Sequence, residues 1–533
     1  MSVALAQPAA AADLPVKALA PTDAVPYWWF GGFIEAGGRD FLNDPQRNGQ
    51  TAVYTNNTVS PYTVVLTNNK SLAKYYEYSD IKPGAFGNFA LATGSRDGLY
   101  QIDFGGNNVG YRDQSYYADF SKAGQHYLDF GWDQTPHLYG TSAQTPWLGV
   151  GTNALTLPAG CASKANTTAL AVTSPPCLSP NTFDVGIKRD TGSVNYRWTP
   201  TDAWDVKADY SHMRRTGTQV DGIVGMGPAG FPYGPNQVAK PVADTTQNFG
   251  LSGEYAGTSL WQQKYTFKVG YRGSQYSDDS SSYTAQNPYC TGNACESATL
   301  SPFVRLSLPP SNQMNAVNST LAADLPWKSR YVGTVSYTDM TQNAAFIPMT
   351  NNPAPNASAV LASILPAASL NGNINTLLSN NVVTTNITPN LTSKATYRYY
   401  NFQNNTPELQ FGASGSTAGW VSYDQNTAGE RAIRALSIAY TKQNAGEELT
   451  WRPTSTWHLG ASYGYERYDY TRVDATSTEE SIGKAFADWK PTNWFTFRSS
   501  GEYADRTANN YNYLVNVGSI QFPGSTPAQN GYY

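Results

Sequence analysis

Charge is scarce in this sequence. Asp, Glu, Lys and Arg make up 14% of its 533 residues, against about a quarter in an average soluble domain, which argues against a large water-soluble body. Long apolar runs are lacking too: no stretch of about 18 apolar residues occurs, which excludes a bundle of spanning helices, and the mean hydropathy of −0.45 agrees. There are only four cysteines, and no Cys-x-x-Cys-His, so the chain attaches no c-type haem itself. The four histidines, His126, His137, His212 and His458, are widely separated and have no second ligand at metal spacing. A phosphate-binding Gly loop, a nucleophile elbow and a paired zinc motif are all missing. The net charge of −4, with no basic cluster, gives nucleic acid nothing to hold. Neither an enzyme nor a resident cofactor is expected.

Aromatics and glycine are plentiful, with 37 Tyr, 13 Trp and 46 Gly. Three stretches repeat one design: Trp198-x-Pro200-Thr201-x-x-Trp204, Trp451-x-Pro453-Thr454-x-x-Trp457 and Trp489-x-Pro491-Thr492-x-Trp494. Proline presets φ at the second position of a turn, and the Thr with Asp202, Ser455 or Asn493 supplies side-chain bonds to the backbone. Tryptophan settles where hydrocarbon meets water. The six indoles are therefore expected as an aromatic girdle at the periplasmic turns of a transmembrane β-barrel.

The flanking segments alternate with period two. Trp204, Val206, Ala208 and Tyr210 share one face, opposed by Asp205, Lys207, Asp209 and Ser211. Tyr265, Phe267, Val269 and Tyr271 alternate with Lys264, Thr266, Lys268 and Gly270, and Leu459, Ala461, Tyr463 and Tyr465 with Gly460, Ser462, Gly464 and Glu466. Leu128, Phe130 and Trp132 oppose Tyr127, Asp129 and Asp133. Segments of about ten residues patterned this way match a tilted membrane-spanning strand. Asp129, Asp133, Lys207 and Asp209, on the polar face, are candidate lumen contacts.

Connections come in two lengths. The Pro-Thr turns and Asp190-Thr191-Gly192 read as short turns, whereas the stretches near 140–182, 216–245, 274–328 and 340–392 read as long loops, rich in Asn, Gly, Pro and Ser. Outer-membrane barrels keep short turns in the periplasm and long loops outside. Cys161 with Cys177, and Cys290 with Cys295, fall in these loops and are expected as disulfides in an oxidising compartment. Residues 359–365 suit a surface loop or a short helical turn. Glu447-Glu448 and Glu479-Glu480 read as rim charges near strand ends. Residues 1–12 read as the end of an export signal, 13–26 as a periplasmic segment and 27–533 as the barrel, of roughly sixteen to twenty strands. A barrel that wide has a lumen its own side chains cannot fill.

Segments of the N-terminal region carry a resemblance. Trp29-Phe-Gly-Gly-Phe-Ile-Glu-Ala-Gly-Gly-Arg39, Lys74-Tyr-Tyr-Glu-Tyr78 leading to Gly84-Ala-Phe-Gly87, Asp113-Gln-Ser-Tyr116, Asp133-Gln-Thr-Pro-His137 and Ala143-Gln-Thr-Pro146 resemble the MtrB/PioB family of outer-membrane barrels. The hairpin series after 183 continues the likeness. The resemblance implies a barrel that sheathes a periplasmic multihaem cytochrome, usually decahaem, so that electrons cross the outer membrane to or from extracellular iron, in some members through a surface cytochrome. The haem would belong to the partner. Two features depart from the family: the Cys-x-x-Cys that some members carry near the mature N-terminus is missing, and Ser519 to Tyr533 reads as a loop, so the barrel is expected to lack its last strands. The alternative function is a diffusion porin or specific uptake channel, in which the same wall surrounds water.

Overall fold

The computed structural model describes residues 28–40, 53–57, 60–65, 83–158, 181–223, 236–260, 262–286, 303–347, 365, 367–411, 433–435, 437–471 and 475–511. Among the described residues seventeen strands form one antiparallel sheet: Trp28–Arg39, Gly84–Ser95, Tyr100–Val109, Ser115–Lys122, His126–Thr145, Asn181–Trp198, Trp204–Ile223, Asn236–Thr258, Lys264–Asp278, Asn312–Leu325, Ser329–Gln342, Gly372–Thr388, Leu391–Asn404, Tyr440–Thr454, Trp457–Tyr470, Ser477–Thr492 and Phe495–Asn509. Each pairs in register with the next, as where Trp204 faces Tyr255 and Trp457 faces Trp489. This meander has the strand order of a β-barrel wall. Its first and last strands run the same way, away from the short turns, so they are not antiparallel neighbours of one another.

The registers sort side chains onto two faces, because directly opposed residues share a face. One face carries Phe104, Phe130, Leu251, Phe267, Val269, Val335 and Phe497, well exposed in the isolated chain. Such an apolar surface suits hydrocarbon, not water. The opposite face carries Asp129, Lys207, Lys268, Arg398 and Lys484. Polar groups on the apolar face are tied down: Tyr271 donates to Asn315 Oδ1 at 2.6 Å, Tyr331 to Asn381 Oδ1 at 2.7 Å and Tyr397 to Gln443 Oε1 at 3.1 Å. Each bond satisfies an amide oxygen that lipid would leave bare.

Trp198, Trp204, Trp451, Trp457 and Trp489 lie on the apolar face beside the short turns, and the rings of Trp457 and Trp489 stack at 5.7 Å. Trp494 differs: it sits in the turn, 85% exposed, and Phe495 and Phe497 continue the row instead. The prolines differ as well. Pro453 and Pro491 fall within register shifts at strand ends, between Trp451 and Thr454 and between Trp489 and Thr492, rather than at the second position of a turn. A residue without an N–H is best tolerated where the ladder is already interrupted.

Several stretches that read as loops are strands. Asn181–Trp198 runs unbroken through Asp190, Thr191 and Gly192, paired on both sides, so no turn exists there. Asn312–Leu325 and Gly372–Thr388 lie within the stretches 274–328 and 340–392, and residues 216–223 and 236–245 extend two strands. Their Asn, Ser and Thr content hides the alternation, because neighbouring tyrosines satisfy those amides from across the sheet. Glu447 and Glu448 are mid-strand, not at a rim. Alternation sends them to opposite faces: Glu447 lies on the apolar face, where Ser393 donates to it at 3.1 Å, and Glu448 lies inside. Cys161, Cys177, Cys290, Cys295 and residues 1–27, 359–364 and 512–533 lie outside the described residues.

One side of the wall is tall. His126–Thr145 and Trp204–Ile223 have 20 residues each and Asn236–Thr258 has 23, whereas about 9–11 span a membrane. On the lumen side of this surplus lies a three-stranded sheet of Phe303–Ser307, Ser282–Gln286 and Ala154–Leu155. It closes a small core of Trp147, Leu155, Val238, Tyr283, Ala285, Val304 and Leu308. Tyr283 is fully buried and donates to Asp221 Oδ2 at 3.0 Å, and Trp147 Nε1 donates to the Gln286 carbonyl at 2.9 Å.

Burial and the Asp221 carboxylate raise the Tyr283 pKa above its usual value near 10. A raised folded-state pKa gives stability that is full below about pH 10 and is lost as pH rises through the folded value. The cap is therefore expected to become protease-sensitive above about pH 10 in the native chain. Tyr283→Phe loses a hydrogen bond to a charged group, a cost of about 1.5–3 kcal/mol, and should admit protease already at neutral pH. Equal cleavage of both forms at every pH would refute the anchoring role.

Candidate functional site

The lumen face is the candidate site, and register builds it. Asp103 faces Asp119, Asp119 faces Asp129, Asp129 faces Asn195 and Asn195 faces Asp209. Four carboxylates thus line one row across five adjacent strands. Directly opposed side chains lie about 4.5–5.5 Å apart at Cβ, where like charges destabilise a sheet. Among the described residues none of the four has an ion-pair partner; Asp103 accepts only from Gln101 Nε2 at 2.7 Å.

In the neighbouring row two cations turn to one carboxylate. Arg197 reaches Asp205 at 3.0 Å and Lys207 reaches it at 3.3 Å. Of the lumen contacts expected from sequence, Asp129 and Asp209 therefore belong to the open acidic row, while Lys207 is engaged by Asp205. Asp133 lies two steps along the same face, beyond Gly131, facing Ser115 and Thr191, and accepts from Thr135 Oγ1 at 2.6 Å. Asp103 and Asp119 belong to the same row and were detectable by the same signal, since each is flanked by outward apolar residues, Ile102 and Phe104 or Ala118 and Phe120.

The lumen side of the later strands is different in kind. Tyr400, Phe402, Tyr440, Tyr468 and Tyr470 form a connected ring cluster with centroid spacings of 5.2–5.9 Å. Lys442 lies 4.6 Å from the Tyr468 ring centre and 2.9 Å from Glu466, which also accepts from Asn444 at 2.6 Å. The lumen thus has an acidic arc and an aromatic, internally paired arc. His126 and His458 are engaged near the short turns, by Tyr196 at 2.8 Å and Asp488 at 3.4 Å. Among the described residues no group of three His, Cys, Asp or Glu side chains has metal-binding geometry.

The family model for outer membrane beta-barrel porins of the MtrB/PioB type matches residues 67–527. The chain belongs to the MtrB/PioB family. Outer membrane protein MtrB of Shewanella baltica (strain OS185) is 21% identical over 395 residues, 73% of this chain and 50% of the relative; the chain thus spans about half the length of this curated relative. Among solved structures, the RagAB peptide transporter aligns with 81% of this chain and 52% of its own at 8% identity and a TM-score of 0.38. The ferric yersiniabactin uptake receptor FyuA from Yersinia pestis aligns with 80% of this chain and 59% of its own at 12% identity and 0.35. Both are too distant to inform function. Membership of the MtrB/PioB family places the chain in the bacterial outer membrane as a porin-type barrel, with the apolar face against lipid.

Proposed function

We propose that this MtrB/PioB barrel sheathes a periplasmic multihaem c-type cytochrome, decahaem in the family pattern, so that electrons cross the outer membrane in extracellular iron oxidation or reduction. The haem is the partner's cofactor, and this chain performs no catalytic step. A surface cytochrome at the long-connection end is a second candidate partner. One observation carries the reading: the lumen wall presents four aligned carboxylates, none in an ion pair among the described residues, an arrangement that weakens an empty barrel and is relieved by an inserted basic protein surface. Charge complementarity of this kind fixes register and steers docking.

Extraction from native membranes in mild detergent, followed by haem staining and planar-bilayer recording, tests the proposal. The expected result is a haem-bearing protein in stoichiometric amount and low conductance while it is bound. A haem-free barrel with large, steady conductance would establish the water-filled porin instead.

A further inference from the structure

The apolar face is not smooth. A hollow of about 390 Å³ opens on it, lined by Phe130, Trp132, Val194, Tyr210 and His212 around the bare backbone of Gly192. The registers explain the gap: Trp132 and His212 flank Gly192 on the two neighbouring strands, and Phe130, Val194 and Tyr210 form the row beneath. A Cβ at Gly192 would meet only Trp132 ring atoms, at 3.7–4.0 Å, so the missing side chain leaves open space there, and the small Ala118 in the row beneath widens it.

Position decides the occupant. His212 lies eight residues beyond the girdle Trp204 on its strand; at about 3.4 Å per residue and a tilt of about 40°, the hollow sits roughly 20 Å above the short turns. That is the far part of a hydrocarbon band about 25 Å tall, where polypeptide loops and bulk water are excluded. Directly beyond it stand the ion pairs Arg214–Asp279 and Lys188–Asp190, the latter at 3.0 Å, which mark the headgroup level. An unfilled depression in hydrocarbon forfeits dispersion contacts along its walls. Its volume is far above the ~30 Å³ share of one water.

We infer that this hollow is a seat for one acyl chain of a membrane lipid in the leaflet at the long-connection end, with the lipid headgroup at the level of His212 and Arg214. The seat is independent of what fills the lumen. Trp132 forms one wall and reports occupancy directly.

The test uses the full chain reconstituted in phospholipid bilayers containing a graded fraction of lipid brominated in its acyl chains, a contact quencher of indole fluorescence. The Trp132 signal, taken as the difference between the native chain and Trp132→Phe, is expected to be half-quenched at a brominated fraction at least twofold lower than the remaining tryptophans require. Gly192→Leu fills the hollow and should bring Trp132 back to the common value. Native mass spectrometry should show one lipid retained on the native chain and at least tenfold less on Gly192→Leu, with Ala461→Leu, elsewhere on the apolar face, unchanged. Quenching of Trp132 no different from the other indoles in the native chain overturns the inference, as does a retained adduct of polypeptide mass. The native-chain measurement stands by itself even where Gly192→Leu fails to fold.

Discussion

Val269→Arg is expected to cost this barrel about 2–4 kcal/mol, the penalty for a guanidinium on the lipid face near the bilayer midplane, while Asn318→Arg on the neighbouring strand costs little. Val269 lies between Tyr265 and Gly273 on the apolar face, opposed by Gly253 and Ser319, with no carboxylate beside it. Asn318 is exposed on the lumen side and faces Gly270, so an arginine there has room and water. The two positions lie on adjacent strands, so propensity and register are comparable and only the face differs. Urea titration of refolded protein in lipid vesicles measures the gap. Equal costs at the two sites would mean that the faces have been assigned wrongly, and the membrane reading would fall with them.

The acidic row predicts opposite effects on stability and on partner retention. Asp119 stands directly between Asp103 and Asp129, so Asp119→Asn should stabilise the empty barrel by a few tenths to about 1 kcal/mol, the usual scale of a cross-strand pair. The same change should weaken retention of a basic partner. Reversal to Asp119→Lys with Asp129→Lys sets like charge against that partner, which costs several kcal/mol, so retention should fall more than a hundredfold at low salt and recover in part as added salt screens the repulsion. Barrel unfolding and haem co-elution along a salt gradient read the two effects separately. If Asp119→Asn destabilises the empty barrel and leaves co-elution unchanged, the row is a structural feature and not a docking surface.

Much of the wall was legible in advance because lipid on one side and a polar lumen on the other impose strict alternation. The segments from Trp204, Tyr265 and Leu459 fold with the alternation their patterns indicate, and register sets Asp129 and Asp209 on the face opposite Phe130 and Tyr210. Asn312–Leu325 and Gly372–Thr388 were not legible. Their lipid-facing Asn315, Asn375 and Asn381 look like loop residues until Tyr271, Tyr337 and Tyr331 are seen donating to them from the adjacent strand. Asp190-Thr191-Gly192 misled for a related reason. Its turn-like composition reflects a glycine that shapes a hollow and an aspartate held by Lys188 at the membrane boundary.

The linear order of residues determined that the chain is a strand-built membrane wall, which face of its clearest strands meets hydrocarbon, and where its indole-flanked turns lie, since each depends on neighbours one to six positions apart. Tertiary structure decided what depends on register between strands: four scattered aspartates become one row, Tyr283 and Trp147 meet in a cap on the tall side, and a single glycine opens a hollow between Trp132 and His212. Register sets which residues stand opposite one another, and no local pattern carries that information.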